Sequence, residues 1–478
     1  MTVQPSPPTA LDSPLAAIRR MLVERPDDAA ALTSMGVLLN QQGKSDAAIL
    51  HHRRALTVSP DHDAAWSSLA FVLTARGRHA QAIACGRRTV ALAPDDPAAG
   101  PALTAALYKA GDFAADRTAL ERLIRLQPDD PGLAWGRAQI RLHQGDYAQG
   151  FADYEGRYWL KDYHYRIHRG PRWDGGPLDG RFVMVTLEQG FGDTLLMARY
   201  LPMLKAQGAR RVIVELRDEL RRLFAPMDGV DAFVARDVAL TPIYHVHSSI
   251  MSLPLCFGTT IDSVPPPIRL TVPEEARAKA ARLLGPEDGR LKVGIVWSGS
   301  DAFPDNAIRA TSLERFLRFA EIPGVALYSL QKGPPEGELR ACPPGTPVTA
   351  LGPELQDFAD TAAVVERLDL VIMTDSSVAH LAGSLGRPVW VLLQHVPYWV
   401  YGMSSMTTPW YPSMRLYRQG SDEDWEPVFE AAARDLRALA ARKTAAPEQT
   451  DHEQAPPKKT NWHGRSRAPG RSRPPCNP

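Results

Sequence analysis

Cysteine is scarce in this chain of 478 residues: Cys85, Cys256, Cys342 and Cys476 lie far apart, and no two of them form a CxxC pair. That spacing argues against a zinc knuckle and a disulfide framework, and it fits a reduced, cytoplasmic setting. Net charge is nearly absent as well. With 55 basic against 54 acidic side chains, no overall field points to nucleic acid or an acidic membrane surface. The opening MTVQPSPPTALDSP has neither a basic start nor an apolar core, so it does not read as a secretory signal. No apolar run approaches the roughly 20 residues needed to cross a bilayer, so no membrane span is expected. Apolar residues make up 44% of the chain, enough for real cores, and the length calls for two to four domains.

Two residue types recur in one register through the first third. Pro26, Pro60, Pro94 and Pro128 are spaced 34 residues apart, and so are Gly43, Gly77, Gly111 and Gly145. A glycine where one helix turns, and a proline–acid pair such as Pro60–Asp61 or Pro94–Asp95 where the next ends, describe helix–turn–helix units. Ala47, Ala48, Ala82 and Ala114 are small enough for close helix approach, and Leu39, Leu69, Leu73, Leu107 and Leu142 carry the apolar faces. The period, with Trp66, Leu69, Ala70, Gly77 and Pro94 in their places, resembles the tetratricopeptide repeat. The resemblance covers residues 12–165 and implies an α-solenoid with a concave surface for a protein or peptide partner. Its last unit runs into an aromatic stretch from Tyr147 to Tyr165. This reads as a cap packed against the next domain, with sugar or peptide stacking as the alternative.

Beyond residue 178 the period changes. The apolar runs FVMVTLE (182–188), RVIVEL (211–216) and DAFVA (231–235) alternate with helical stretches, which means a parallel sheet covered by helices. The proline-rich stretch opening 258–285 reads as a linker. A second set then supplies KVGIVWSGS, VALYSLQKG, LDLVIMT and PVWVLL as strands. The expected fold class is α + α/β: the solenoid, then a GT-B-like pair of Rossmann-type halves at 178–257 and 286–442. Ligand is expected in the cleft at the carboxyl ends of the strands. From 443 to 478 aliphatic residues nearly vanish and basic ones gather, which predicts a disordered tail.

Three turns carry the candidate chemistry. In DLVIMTDSSVAHLAGSLG a strand ends at Thr374 and a helix begins almost at once. The amides of Ser376, Ser377 and Val378 are then free to bind phosphate, with His380 in the first turn. In EQGFGDTLLMARYLP, Gly190 and Gly192 let the backbone approach a ligand, and Asp193 starts a helix at the cleft. In GIVWSGSDAFPDNAIRATSL, Gly294, Ser298 and Gly299 form a further turn, with Arg309 and, later, Lys332 as cations. Each group also has a plainer reading. Asp193 reads as an N-cap, Asp375 and Ser376 as a helix cap, His380 as a core histidine, and Arg309 and Lys332 as surface cations.

The Asp375–Ser376 pair followed by His380, the alanine-rich helix and the Gly386–Arg387–Pro388 turn resemble the bacterial ADP-heptose heptosyltransferases. The resemblance implies a nucleotide-sugar donor substrate, bound through Gly190, Gly192, Ser298, Gly299, Arg309, Lys332, Asp375, Ser376, Ser377 and His380. Gly192–Asp193 matches the Gly–Asp pair whose aspartate serves that family as general base, so Asp193 is the implied catalytic residue. Glu188 is a fallback base, and Arg199 an acceptor contact or a partner of Asp193. Inverting transfer needs one carboxylate to take the acceptor proton. No DxD signature sits in a suitable turn, so no metal and no cofactor are expected, and cations and amides would meet the diphosphate charge. Asp357 reads as the cap of its helix, with a ribose or base contact as the alternative.

The first α/β half is shorter than in that family, which leaves the acceptor side least defined. In architecture, repeats followed by a sugar-transfer region also resemble the protein O-GlcNAc transferases. Two functional readings follow. One is an inverting, metal-independent glycosyltransferase whose repeats hold a protein acceptor or partner. The other is a non-catalytic repeat scaffold carrying a degenerate transferase domain. A lipid-linked or saccharide acceptor is a third variant.

Overall fold

The computed structural model describes residues 14–160, 170–188, 190–235, 243–301, 303 and 306–445. The tail expected to be disordered lies outside the described residues beyond 445, as does the aromatic stretch beyond 160.

The first third folds into paired helices: α1 (Pro14–Glu24), α2 (Ala29–Gln41), α3 (Ser45–Val58), α4 (Asp63–Ala75), α5 (His79–Leu92), α6 (Pro101–Lys109), α7 (Phe113–Leu126), α8 (Pro131–His143) and α9 (Tyr147–Tyr154). Gly43, Gly77, Gly111 and Gly145 turn the chain within successive pairs at φ of 76°, 69°, 73° and 81°. That left-handed backbone is open to glycine and strained for other residues. Asp28, Asp112, Asp130 and Asp146 start α2, α7, α8 and α9 by accepting a first-turn amide. A further register appears in three dimensions. Arg54 donates to the Pro26 carbonyl, Arg88 to Asp61 and Arg122 to the Pro94 carbonyl, so each arginine ties its unit to the one before.

Two parallel sheets follow. The first runs β3–β2–β1–β4, from β1 (Phe182–Thr186), β2 (Arg211–Leu216), β3 (Ala232–Ala235) and β4 (Val246–Ser249). β4 is not among the expected strands. Its Val-His-Ser-Ser sequence has no apolar alternation, yet His247, Ser248 and Ser249 are buried where it pairs with β1. The second sheet runs β10–β9–β8–β5–β6–β7. Its strands are β5 (Leu291–Val296), β6 (Val325–Ser329), β7 (Val348–Ala350), β8 (Leu370–Thr374), β9 (Val389–Leu393) and β10 (Met414–Arg418). In each sheet the strand order reverses once, between β1 and β4 and between β5 and β8, and crevices open at such reversals. The two Rossmann-type units form the GT-B-like arrangement. The expected linker ends in a helix, Glu274–Leu284, with Ala276, Ala280 and Leu284 buried at four-residue spacing.

The solenoid is built into the rest of the molecule. Ala138, Leu142, Tyr147, Phe151 and Tyr154 share one buried core with Val183, Leu196, Val391, Trp399 and Trp410. The Trp410 indole N–H donates to the Tyr147 hydroxyl at 2.9 Å. Trp399 meets Tyr147 and Phe151 edge-on, with ring centres 5.8 and 5.5 Å apart. The repeat glycines follow the same seam. A Cβ on Gly77 would lie 3.1 Å from Glu423, on Gly111 3.1 Å from Met403, and on Gly145 2.7 Å from Ile261, whereas Gly43 faces open space. Among the described residues, no helix is long and apolar enough to cross a membrane.

Candidate active site

The turn after β1 leads into α10 (Phe191–Met197), and the turn after β8 leads into the helix Ser377–Ser384. These two helices touch at their first turns. A Cβ on Gly192 would come within 2.9 Å of His380 Cδ2 and 3.6 Å of Ser377 Cα. The two sequence motifs therefore meet across the seam between the sheets.

Gly190 is the N-cap of α10, and Asp193 stands three residues later, not at the cap position expected from sequence. One Asp193 oxygen accepts the Gly190 amide at 3.0 Å, half of a capping box. The other accepts the Tyr398 hydroxyl at 3.1 Å. Burial pushes the Asp193 pKa up to about 6, with the Asp375 charge adding to the rise and the Gly190 and Tyr398 bonds opposing it. A carboxyl held there is ionised at neutral pH and still a competent proton acceptor.

Asp375 is buried at the end of β8. It accepts the Tyr401 hydroxyl at 2.9 Å and lies 3.8 Å from the Arg309 guanidinium. Burial raises its pKa, while Arg309 and Tyr401 pull it down. Ser376 is the N-cap of the next helix, but its side chain accepts none of the first-turn amides. The positive end of that helix is left without a side-chain cap. His380 is buried beside it. Burial, then the charges of Arg199 and Arg309, hold its pKa down to about 3, so the ring is neutral at physiological pH. Its Nδ1 has no hydrogen-bond partner among the described residues.

Arg309 lies over the Phe303 ring, 4.2 Å from its centre, and a Cβ on Gly299 would sit 2.7 Å from its guanidinium. Two residues absent from the sequence candidates organise this corner. Asn306 accepts the Gly299 amide at 3.0 Å and donates to the Ser298 hydroxyl at 3.1 Å. Gln331 accepts the amides of Trp297 and Ser298 at 3.1 and 3.0 Å. The amides of this turn are thus engaged within the chain, so the turn shapes the site through Arg309 and the Ser298 hydroxyl, not as an open anion cradle. Asn306 and Gln331 carry no sequence signal, because an amide side chain has many ordinary uses. Gly294 lies inside β5, where a Cβ would meet Leu368 at 2.6 Å, so it serves close packing.

Other expectations change in the folded chain. Lys332 donates to the Gly352 carbonyl at 2.9 Å, so its charge is engaged with that turn. Arg199 makes no ion pair with Asp193 among the described residues. It is buried and donates to the carbonyls of Leu196, Pro265 and Trp410. Glu188 is held in a two-pronged ion pair by Arg157, which removes it as a fallback base. Asp357 caps its helix through the amides of Ala359 and Asp360 and pairs with Arg222 of the first half.

The fold is that of a repeat-bearing protein with a GT-B-like α/β region. Models of the tetratricopeptide repeat match residues 39–107 and 105–156. Among curated proteins the chain is similar to Protein FlbA of Caulobacter vibrioides, 29% identical over 338 residues, covering 64% of this chain and 55% of that protein. The chain thus spans about half the length of this curated relative. Similar solved structures include a family 9 glycosyl transferase from Veillonella parvula, with 15% identity, 55% of this chain and 98% of that one covered, and a TM-score of 0.42. Another is the ADP-heptose LPS heptosyltransferase II of E. coli, with 14% identity, 55% and 100% covered, and a TM-score of 0.42.

Proposed function

We propose that this protein is an inverting, metal-independent glycosyltransferase that uses a nucleotide-sugar donor and whose repeats hold a protein acceptor or partner. The observation that carries the reading is the contact of Gly192 with Ser377 and His380, which sets a candidate base beside an uncapped helix N-terminus. The donor diphosphate lies at the amides and hydroxyls of Ser376 and Ser377, with neutral His380 as a further hydrogen-bonding group. Arg309, oriented by Asp375, offsets the charge that grows on the leaving group. Asp193 takes the proton of the acceptor hydroxyl as its oxygen bonds to the anomeric carbon. The bond from that carbon to the phosphate oxygen breaks, and the nucleoside diphosphate departs with the electron pair. Ser298, Gly299 and the Gly190 turn shape the walls, and Lys332 contributes at most at the rim.

The test is a thermal-shift screen of the full chain with UDP, GDP, ADP and CMP, repeated on Ser376→Ala/His380→Ala. A nucleotide at about 100 times its dissociation constant adds about 2.7 kcal/mol to stability. A shift with one nucleotide, lost in the double variant, is the expected result. No shift with any of them defeats the donor-site assignment and favours the scaffold reading.

A further inference from the structure

The segment after β9 touches all three parts of the molecule. Pro397 O lies 2.8 Å from His143 Nε2 of α8. Trp399 packs on Tyr147 and Phe151 of α9. On either side of Trp399, two tyrosines reach into the candidate site: Tyr398 bonds Asp193 of the first half at 3.1 Å, and Tyr401 bonds Asp375 of the second at 2.9 Å. A single short turn, Trp399–Tyr401 with Tyr398 as its N-cap, is thus held from behind by the last repeat and grips a carboxylate of each half in front.

We propose that Tyr398 is a positioning residue for Asp193, and that the last repeat sets its place through the Pro397–Tyr401 turn. The last repeat is then a support of the catalytic site, while the outer repeats are left to a partner. This rests on the transferase reading above.

The geometry carries the inference in two steps. First, a carboxylate at the start of a helix has rotamer freedom, and Asp193 loses it because its two oxygens are bonded to different elements, Gly190 and Tyr398. Second, the turn bearing Tyr398 is flanked by side chains of the repeat array, so its backbone depends on them. Among the described residues, the titratable and charged groups around Asp193 are Tyr398 from this turn, Asp375, neutral His380 and the buried Tyr411 from the second half, and Arg309 behind Asp375. Arg199, on its own side, is turned to backbone carbonyls. Tyr398 stays protonated, since burial and the Asp193 charge raise its pKa well above the usual tyrosine value, so it is a constant donor.

The experiment follows release of nucleotide from the sugar nucleotide chosen by the thermal-shift screen, with water as acceptor and the full chain as enzyme. Tyr398→Phe removes the hydroxyl alone. It is expected to lower kcat about tenfold with the donor KM within about twofold, and to move the acid limb of the pH profile upward, because Asp193 loses a bond that favours its charged form. His143→Ala, in the repeats and outside the site, is expected to lower kcat about as much, with partial rescue in His143→Gln, which can still donate to Pro397 O. Arg54→Ala, in an outer repeat, serves as the control for general weakening of the solenoid, and its kcat should match the wild type. An unchanged kcat in either Tyr398→Phe or His143→Ala overturns the inference, and so does an equal loss in Arg54→Ala. A wild-type protein that releases nucleotide while these variants behave like it leaves the transferase reading standing. A wild-type protein that neither binds nor cleaves any donor overturns both.

Discussion

Arg157 and Glu188 form a two-pronged ion pair, with Nε–Oε2 at 2.8 Å and Nη2–Oε1 at 2.7 Å, that joins the end of the repeat array to the end of β1. Both side chains are out of contact with water, at 0% and 4% exposure. Burial alone would lower the Arg157 pKa, but the Glu188 carboxylate outweighs it and keeps the guanidinium charged. Glu155, Tyr158 and Ser252 complete the bonding around the pair. Removing one partner strands a buried charge, so Arg157→Ala should cost about 3–5 kcal/mol in chemical denaturation. Arg157→Met combined with Glu188→Leu should recover most of that loss. A double-mutant cycle without a coupling term would contradict this account of the junction.

Gly192→Ala tests the contact between the two motifs. The added methyl would sit 2.9 Å from His380, with backbone of the Ser377 helix close behind. Overpacking of this kind costs about 1–3 kcal/mol. The expected outcome is a lowered melting temperature together with weakened nucleotide binding, because α10 and the Ser377 helix must separate. A variant with full stability and full nucleotide response would show that the contact can open freely.

Activity should rise with pH through about 6, the value to which burial pushes Asp193. Stability should move the other way. Because the folded pKa lies above the unfolded value of about 3.9, the folded state holds more protons between the two, and stability falls as pH rises through that window. Asp193→Asn should flatten this dependence and lower kcat by a factor on the order of 10² or more. Unfolding curves at pH 4 and pH 7 on both proteins check the sign.

Much of this fold was readable in the sequence, and the reasons are local. The 34-residue register survived because each glycine answers a fixed backbone demand, a positive φ in every unit. The strands β1, β2, β5, β8 and β9 were readable as apolar runs, since parallel strands are covered on both faces. β4 was not, because its His247, Ser248 and Ser249 are buried by pairing and not by apolar pattern. The short β7 and the edge strand β10 also gave no clear run. In the site, Asp193, Asp375, Ser376 and His380 follow strands directly and were named. Tyr398 and Tyr401 act from a turn that arrives from elsewhere in the chain, while Asn306 and Gln331 lie close to their turn or strand but are amides with no distinctive spacing. The partners of Arg199 and Glu188, Trp410 and Arg157, lie far away in sequence, so their bonding is not legible locally.

The repeat glycines allow a graded comparison. Gly43→Ala meets only the strained backbone, since nothing lies within 4 Å of the new methyl, and should cost about 1 kcal/mol. Gly145→Ala carries the same strain plus a 2.7 Å approach to Ile261, and should cost more, about 2–3 kcal/mol. Equal losses in thermal unfolding would mean that Ile261 swings aside without penalty.

The seam formed by Gly77, Gly111 and Gly145 against Glu423, Met403 and Ile261 has a consequence for how such a chain can change length. Helical arrays commonly grow or shrink by duplication or loss of whole units, because each unit needs only its neighbours. Here three successive units are keyed to three different points on the α/β body. Inserting or deleting a unit among them would slide every later turn off its mate, like a zip closed one tooth out of step. Length can vary more freely on the far side of Gly43, whose turn has nothing within 4 Å of an added methyl. The array thus has an inner segment fixed against the α/β body and a freer outer one, where change can accumulate without disturbing the cleft.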